Sequence, residues 1–279
     1  QMMNGTPGAL YWETCGPEDG ETVVLSAGLG GSGKYWASQI PALAERYRVL
    51  VYDQFGTGRS PGEVPELYTV ADMAAELDEL LAETTAGPVH FVGHALGGLI
   101  GLELAQRSPE RVGSLLLINA WAEPNAYSSR CFSVRRKLLI SEGPEAYLEA
   151  QPLFLYPPVW IAENGNWLEQ ETAHQLAGFP PPENLLHRLR ALQAWKMAPE
   201  ELARVTVGSL VLATRDDALV PWNCSQKLAA ELPCSSVQLL PAGGHAINVT
   251  EPERFNALML SHLRKYRLPT ATITTQEAS

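Results

Sequence analysis

Positive charge is scarce in this chain: 20 Lys and Arg stand against 31 Asp and Glu, a formal net charge of −11. A broad basic footprint for nucleic acid is excluded on that ground, and so is electrostatic docking on an anionic membrane. Long apolar runs are also missing, with none near the roughly 20 residues that span a bilayer. The opening residues Gln1-Met2-Met3-Asn4-Gly5 have neither a basic n-region nor an apolar h-region, so no secretory signal is expected. Cysteine is rare. Cys15, Cys131, Cys224 and Cys234 show no CxxC and no Cys/His metal spacing. Reduced thiols, a cytoplasmic location and no metal or organic cofactor are the expectation. Charged residues make up only 18% of the chain, against roughly 25% in an average soluble protein. With 46% hydrophobic residues the chain is not disordered, and 279 residues suffice for one large domain.

What is present is a repeating alternation. The runs Val23-Val24-Leu25, Val49-Leu50-Val51-Tyr52, Val89-His90-Phe91-Val92, Leu115-Leu116-Leu117-Ile118, Leu210-Val211-Leu212 and Val237-Gln238-Leu239-Leu240 are almost continuously apolar. Apolar strands without polar alternation imply a sheet buried on both faces, hence parallel strands covered by helices. Helical segments are expected over 35–44, 70–83, 96–107, 223–230 and 251–266. Thr69-x-x-Asp72 and Thr250-x-x-Glu253 read as capping boxes. The predicted class is α/β: a mostly parallel, doubly wound sheet.

The alternation breaks between Trp121 and Pro199, where nine of the 21 prolines and ten of the 22 aromatics fall. Helical stretches survive there but no strand does. The expected organisation is a core in two parts, 1–120 and 200–267, with a helical cap inserted at 121–199. A frayed polar tail is expected over 268–279.

Val92-Gly93-His94-Ala95-Leu96-Gly97-Gly98 follows a strand and opens a helix, the setting of a G-x-S-x-G nucleophile elbow. The glycines permit the tight turn, and the middle residue is pushed out at the helix N-terminus. That residue is Ala95, so the geometry is kept while the hydroxyl is missing. A plain helix-packing turn is the competing reading, and the downstream residues weigh against it. Asp216-Asp217 follows the strand ending at Ala213, and the spacing to Pro221 selects Asp217 as an orienting acid, with Asp216 a solvated turn residue or cap. Gly243-Gly244-His245 comes 28 residues after Asp217. The chain order of elbow, acid and histidine is that of α/β-hydrolases, not that of chymotrypsin or subtilisin.

Gly28-Leu29-Gly30-Gly31-Ser32 occupies the place of an oxyanion loop, which assigns the backbone N–H groups of Leu29 and Leu96 as donors. Its glycines match neither G-x-G-x-x-G nor a Walker pattern, so nucleotide binding is not expected. Arg130, Arg135, Arg136 and Lys137 form a cationic cluster in the cap. It reads either as an anion funnel, with Arg130 and Arg135 binding substrate, or as a solvated helix face. His94 reads as a packed side chain holding the turn, His90 as a buried strand residue. His174, His187 and His262 share no metal spacing. Cys131 as a replacement nucleophile is disfavoured by its distance from the elbow in sequence.

These motifs together resemble the α/β-hydrolase superfamily. Arg130-Cys131-Phe132, Gln151-Pro152-Leu153-Phe154-Leu155-Tyr156-Pro157, Asn184-Leu185-Leu186 and Asn248-Val249-Thr250 narrow the resemblance to the hydrolase family of the Rut pyrimidine-utilisation pathway, over roughly residues 10–265. In that family's pattern the elbow carries alanine, so Ala95 reads as natural. Phe55 departs from the pattern, which has Arg there. The resemblance implies hydrolysis of a small, labile intermediate of uracil breakdown. The candidates are carbamate, giving ammonia and carbon dioxide, and 3-aminoacrylate, giving malonic semialdehyde and ammonia. His245 would activate water, oriented by Asp217, without a covalent intermediate. The expected partner is a small-molecule substrate, with a homodimer left open. Cofactor-free proton-transfer or lyase chemistry, and a non-catalytic small-molecule receptor, are the alternatives.

Overall fold

The computed structural model describes residues 3–5 and 10–269. Eight strands form one sheet: β1 (Met3–Gly5), β2 (Trp12–Cys15), β3 (Thr22–Ser26), β4 (Arg48–Tyr52), β5 (Val89–His94), β6 (Val112–Ile118), β7 (Ser209–Thr214) and β8 (Ser235–Leu240). Their spatial order is β1-β2-β4-β3-β5-β6-β7-β8, antiparallel at β1–β2–β4 and parallel from there on. The antiparallel pair β1–β2 is not legible in the sequence: β1 is only three residues long, and Trp12-Glu13-Thr14-Cys15 shows neither a continuous apolar run nor a strict alternation.

Alternate residues of each strand serve opposite faces. Val24, Leu50, Phe91, Leu115 and Val211 pack with α2 (Val70–Thr84), α3 (Leu96–Arg107) and α10 (Trp222–Glu231). Val23, Val49, Val92, Leu116 and Leu212 pack with α1 (Ile40–Ala44) and α12 (Pro252–Leu263) on the other face. Continuous apolar runs are what such two-sided burial requires. β8 departs from the pattern: it is a sheet edge, and its central residues Ser236, Val237 and Gln238 are exposed.

Several local expectations shift. The helix read over 35–44 is a 3-10 turn at Gly33–Trp36 followed by the short α1, whose second residue is Pro41. Proline has no N–H to give an upstream carbonyl, so the two pieces do not merge. The capping box at Thr69 and Asp72 forms. The one read at Thr250 does not: its hydroxyl donates to the Gly243 carbonyl at 2.6 Å, and α12 starts on Pro252. Leu268 is tied by its amide to Glu21 Oε1 at 2.5 Å, so fraying does not begin there; the rest of the predicted tail, from residue 270, lies outside the described residues.

Between β6 and β7 the chain forms helices only: α4 (Ala126–Glu142), α5 (Pro144–Leu155), α6 (Pro158–Glu163), α7 (Gly165–Ala177), α8 (Pro182–Ala194) and the short α9 (Pro199–Leu202). Leu139, Tyr147, Leu148 and Leu185 give these helices a small core of their own. They roof the carboxyl ends of β3 and β5. Strand order reverses at β3, with β4 on one side and β5 on the other, and crevices of open α/β sheets form at such points.

Candidate active site

The elbow is built where β5 runs into α3. Ala95 has φ 48° and ψ −113°, in the left-handed region that an L-residue occupies at a cost. It is held there by its amide donating to Ile118 O at 2.8 Å and its carbonyl accepting from Gly98 N at 2.8 Å. The turn leaves no room for a side chain at the glycines on either side of it. A Cβ on Gly97 would lie 2.0 Å from the Ser26 carbonyl oxygen, and one on Gly93 2.5 Å from the Gly97 backbone. Glycine at both positions is therefore required for β3, β5 and α3 to approach this closely.

His245 and Asp217 come together from two different loops. Nδ1 of His245 lies 2.8 Å from Oδ2 of Asp217, and both side chains are buried. The other carboxylate oxygen of Asp217 accepts the amides of Leu219 and Val220, each at 2.8 Å. Asp216 is exposed, yet its oxygens accept the amides of Gly243 and Gly244 at 3.2 and 2.9 Å. It anchors the loop that carries His245. Thr214 Oγ1 donates to the Gly244 carbonyl at 2.6 Å and Asn119 Nδ2 to the His245 carbonyl at 2.6 Å.

His94, read as a residue holding the turn, also reaches across the site: its Nε2 donates to the His245 carbonyl at 2.8 Å. A carbonyl only accepts, so the proton sits on Nε2 and Nδ1 is left as a lone-pair acceptor. That Nδ1 is buried and has no protein partner. Burial, together with the neighbouring His245, pushes the His94 pKa down to about 3, so the ring is neutral. Tyr35 stacks on it with ring centroids 5.1 Å apart and donates its own hydroxyl to Asn248 Oδ1 at 2.7 Å.

Ala95, His94 and His245 open onto a cavity of about 520 Å³. Its floor includes the turn Gly28–Gly31, closed by Gly31 N donating to Gly28 O at 3.0 Å. The Leu29 amide meets no backbone acceptor among the described residues. Leu96 is the first residue of α3, so its amide has no carbonyl one turn earlier within the helix. The Leu96 side chain is buried below the cavity, not on its wall.

The cap cations divide. Arg135 is buried and lines the cavity, whereas Arg130, Arg136 and Lys137 are exposed. The expectation that Arg130 binds substrate is corrected: it is not on the cavity wall. Five positions along a helix turn a side chain by about 140°, so Arg130 and Arg135 cannot share a face. Cys131 is buried and its thiol faces the Ala218 carbonyl at 3.6 Å; it does not line the cavity. Phe55 packs beside Tyr68, with centroids 6.3 Å apart. Among the described residues no group of three His, Cys, Asp or Glu could hold a metal ion.

One wall residue was missed altogether. Arg188 of α8 is buried, lowered by that burial to a pKa of about 10, and has no carboxylate in ion-pair reach among the described residues. Its guanidinium donates to the Leu29 carbonyl and to Gln54 Oε1, and Gln54 Nε2 donates to the Ala27 carbonyl at 2.7 Å. Arg188 thus ties the cap to the turn bearing the Leu29 amide. Its position in an amphipathic stretch gave no sign of this.

Residues 23–258 match the family described as the alpha/beta hydrolase family. The protein named "Putative carbamate hydrolase RutD" of Pseudomonas syringae pv. syringae (strain B728a) is 51% identical over 252 residues, 90% of this chain and 97% of the relative. The protein of the same name from Variovorax paradoxus (strain S110) is 49% identical over 93% of this chain and 98% of its own. Among solved structures, a hydrolase from Pseudomonas aeruginosa PA01 superposes with a TM-score of 0.82 at 26% identity, covering 91% of this chain and 94% of that one.

Proposed function

This chain belongs to the RutD branch of the alpha/beta hydrolase family, and we propose that it hydrolyses a C–N bond in a small labile acid using water activated by His245. The observation that carries this reading is the buried His245–Asp217 pair at 2.8 Å, set beside an elbow whose residue 95 has no hydroxyl. Asp217 accepts a hydrogen bond from the Nδ1–H of His245, which leaves Nε2 as the base. The space a serine oxygen would fill is open to a water molecule.

The water's oxygen bonds to the reacting carbon while its proton passes to His245 Nε2. Asp217 stabilises the imidazolium, and the amides of Leu29 and Leu96 hold the oxygen that gains charge in carbamate, or the carboxylate of 3-aminoacrylate. The imidazolium then returns the proton to nitrogen as the C–N bond breaks and ammonia leaves. Carbamate plus water gives bicarbonate, hydrated carbon dioxide, and ammonia. With 3-aminoacrylate, proton transfer from nitrogen to C2 gives the imine, and water adds at C3. Malonic semialdehyde and ammonia result. Both compounds decompose unaided, so the acceleration required is small. Roughly 10³–10⁴-fold, the residue of catalysis kept by serine proteases stripped of a triad member, corresponds to about 4–5.5 kcal/mol of barrier.

The test is ammonia release above the spontaneous rate, with background subtracted at each pH. His245→Ala is expected to bring the rate to background while circular dichroism stays native. A folded His245→Ala protein with undiminished rate would end the dyad reading. Product analysis by NMR separates hydrolysis from lyase chemistry on the same scaffold.

A further inference from the structure

A four-heavy-atom acid such as carbamate fills about the space of two or three waters, at roughly 30 Å³ each. The cavity holds about 520 Å³. Most of that volume lies beyond any atoms that react at His245, and its walls there are apolar apart from a polar strip of Arg135, Gln151, Glu171, His174 and Gln175. Phe132 and Leu148 come from α4 and α5, Phe179 precedes α8, and Leu185 and Leu192 lie on α8. A pocket of this size and lining is the ordinary setting for a ligand with a substantial apolar body.

Two buried cations line the cavity: Arg188, already engaged by the Leu29 carbonyl and Gln54, and Arg135. Arg135 donates through Nη2 to Tyr147 Oη at 2.9 Å and Gln151 Oε1 at 3.2 Å. Its Nε and Nη1 meet no protein acceptor, and no carboxylate lies within ion-pair distance among the described residues. The rings of Tyr147 and Phe154 stand 5.0 and 5.5 Å from the guanidinium carbon. The acid on this polar strip, Glu171, is linked through two glutamines: Gln151 Nε2 donates to Gln175 Oε1 at 3.0 Å, and Gln175 Nε2 to Glu171 Oε1 at 3.0 Å. A guanidinium withdrawn from water without a counter-charge is strongly unfavourable, and an arriving carboxylate relieves it.

We propose that the cap half of the cavity binds monocarboxylic acids with an apolar body of arylpropanoate size, the carboxylate on Arg135 and the body against Phe132, Leu148 and Phe179. The substrate range of the enzyme then extends to labile acids bearing an aryl or branched alkyl group. This extension rests on the proposed hydrolysis; the binding site itself does not, because occupation needs no turnover.

Calorimetric titration of the full chain with acetate, phenylacetate, 3-phenylpropanoate and neutral 3-phenylpropan-1-ol tests it. Affinity is expected to climb along the acids, with 3-phenylpropanoate bound about tenfold or more tighter than acetate, the scale set by burying one aromatic group. Arg135→Met should reduce the acid to the affinity of the alcohol and leave the alcohol unchanged. Phe132→Ala should weaken both. Should Arg135→Met fail to fold, as judged by circular dichroism, Arg135→Gln takes its place. Equal affinity for acetate and 3-phenylpropanoate, or acid binding that survives loss of Arg135, overturns the proposal. His245→Ala is expected to bind 3-phenylpropanoate like the wild type. If wild-type turnover never exceeds background while Arg135-dependent binding holds, the hydrolysis reading fails and the site stands.

Discussion

The ring of His94 is bound to the backbone of His245: Nε2 donates to the carbonyl at 2.8 Å, with the two rings' centroids 4.7 Å apart. His245 is therefore held from both sides, its ring by Asp217 and its carbonyl by His94 and Asn119. His94→Phe keeps the aromatic volume and removes the donor. It is expected to cost about 1–3 kcal/mol of stability in urea unfolding, the penalty of a buried polar group losing a partner, and to lower turnover. His94→Gln, whose amide reaches the place of Nε2, should recover much of both. A Phe variant matching the wild type in stability and rate would show that Asn119 alone suffices.

Neighbouring acids should part in their effects. Asp217→Asn leaves the amides of Leu219 and Val220 an acceptor but removes the charge that supports the imidazolium. The rate is expected to fall close to background, because neutralising a triad acid costs about 10⁴-fold. Asp216→Asn weakens the hold on Gly243 and Gly244 without touching the ring, so a milder loss is expected, with a lower melting temperature. Equal rate losses in the two variants would contradict the assignment of Asp217.

Restoring the hydroxyl should restore covalent chemistry. Ala95→Ser places an oxygen at an elbow that keeps its geometry, within a site that keeps its base. The wild type is expected to resist a small fluorophosphonate, and Ala95→Ser to gain one adduct at residue 95 by mass spectrometry. Native turnover should drop, because the side chain displaces the attacking water. A folded variant that never labels would mean that Nε2 of His245 does not address the elbow.

Stability should fall towards both ends of the pH scale. Burial first of all holds His94 and His262 neutral, at about 3 and about 4 against an ordinary 6.5. The native state then binds fewer protons than the unfolded chain, so stability present above 6.5 is lost as pH falls towards 4 and below. Glu76 runs the other way: burial raises it to about 7 from 4.5, and it accepts the Tyr68 hydroxyl at 2.6 Å. Stability present below 4.5 is lost as pH rises through 7. At about 1.4 kcal/mol per pKa unit, discounted because the carboxyl is only partly buried, Glu76→Gln should gain about 1–2 kcal/mol at pH 8 and nothing at pH 4. Urea titrations at the two pH values measure this, and a gain that does not depend on pH would sever it from Glu76 ionisation.

The parts of the site that could be read in advance are those encoded in short contiguous strings. Gly93 to Gly97 spell the elbow because the turn's steric demands fall on neighbouring residues, and the spacing to Pro221 was enough to separate Asp217 from Asp216. Arg188 could not be read this way: its contact with Leu29 joins residues 159 positions apart, and nothing local distinguishes it from other helix cations. Thr250 failed for a related reason, its hydroxyl being claimed by the Gly243 carbonyl instead of the helix it precedes. The cluster at Arg130 to Lys137 looked uniform in sequence, and only the rotation of α4 against the cavity told its members apart.

The positive φ of Ala95 has an evolutionary corollary. A backbone held in that region carries a standing cost, and here it is maintained although no hydroxyl depends on it. What that conformation fixes is the direction of the backbone at the head of α3, whatever side chain residue 95 carries. Alanine and serine codons sharing a third base differ by one first-position change, so a chain with the serine hydroxyl at residue 95 is an immediate mutational neighbour of this one. The turn that would present such a hydroxyl is already folded in this chain.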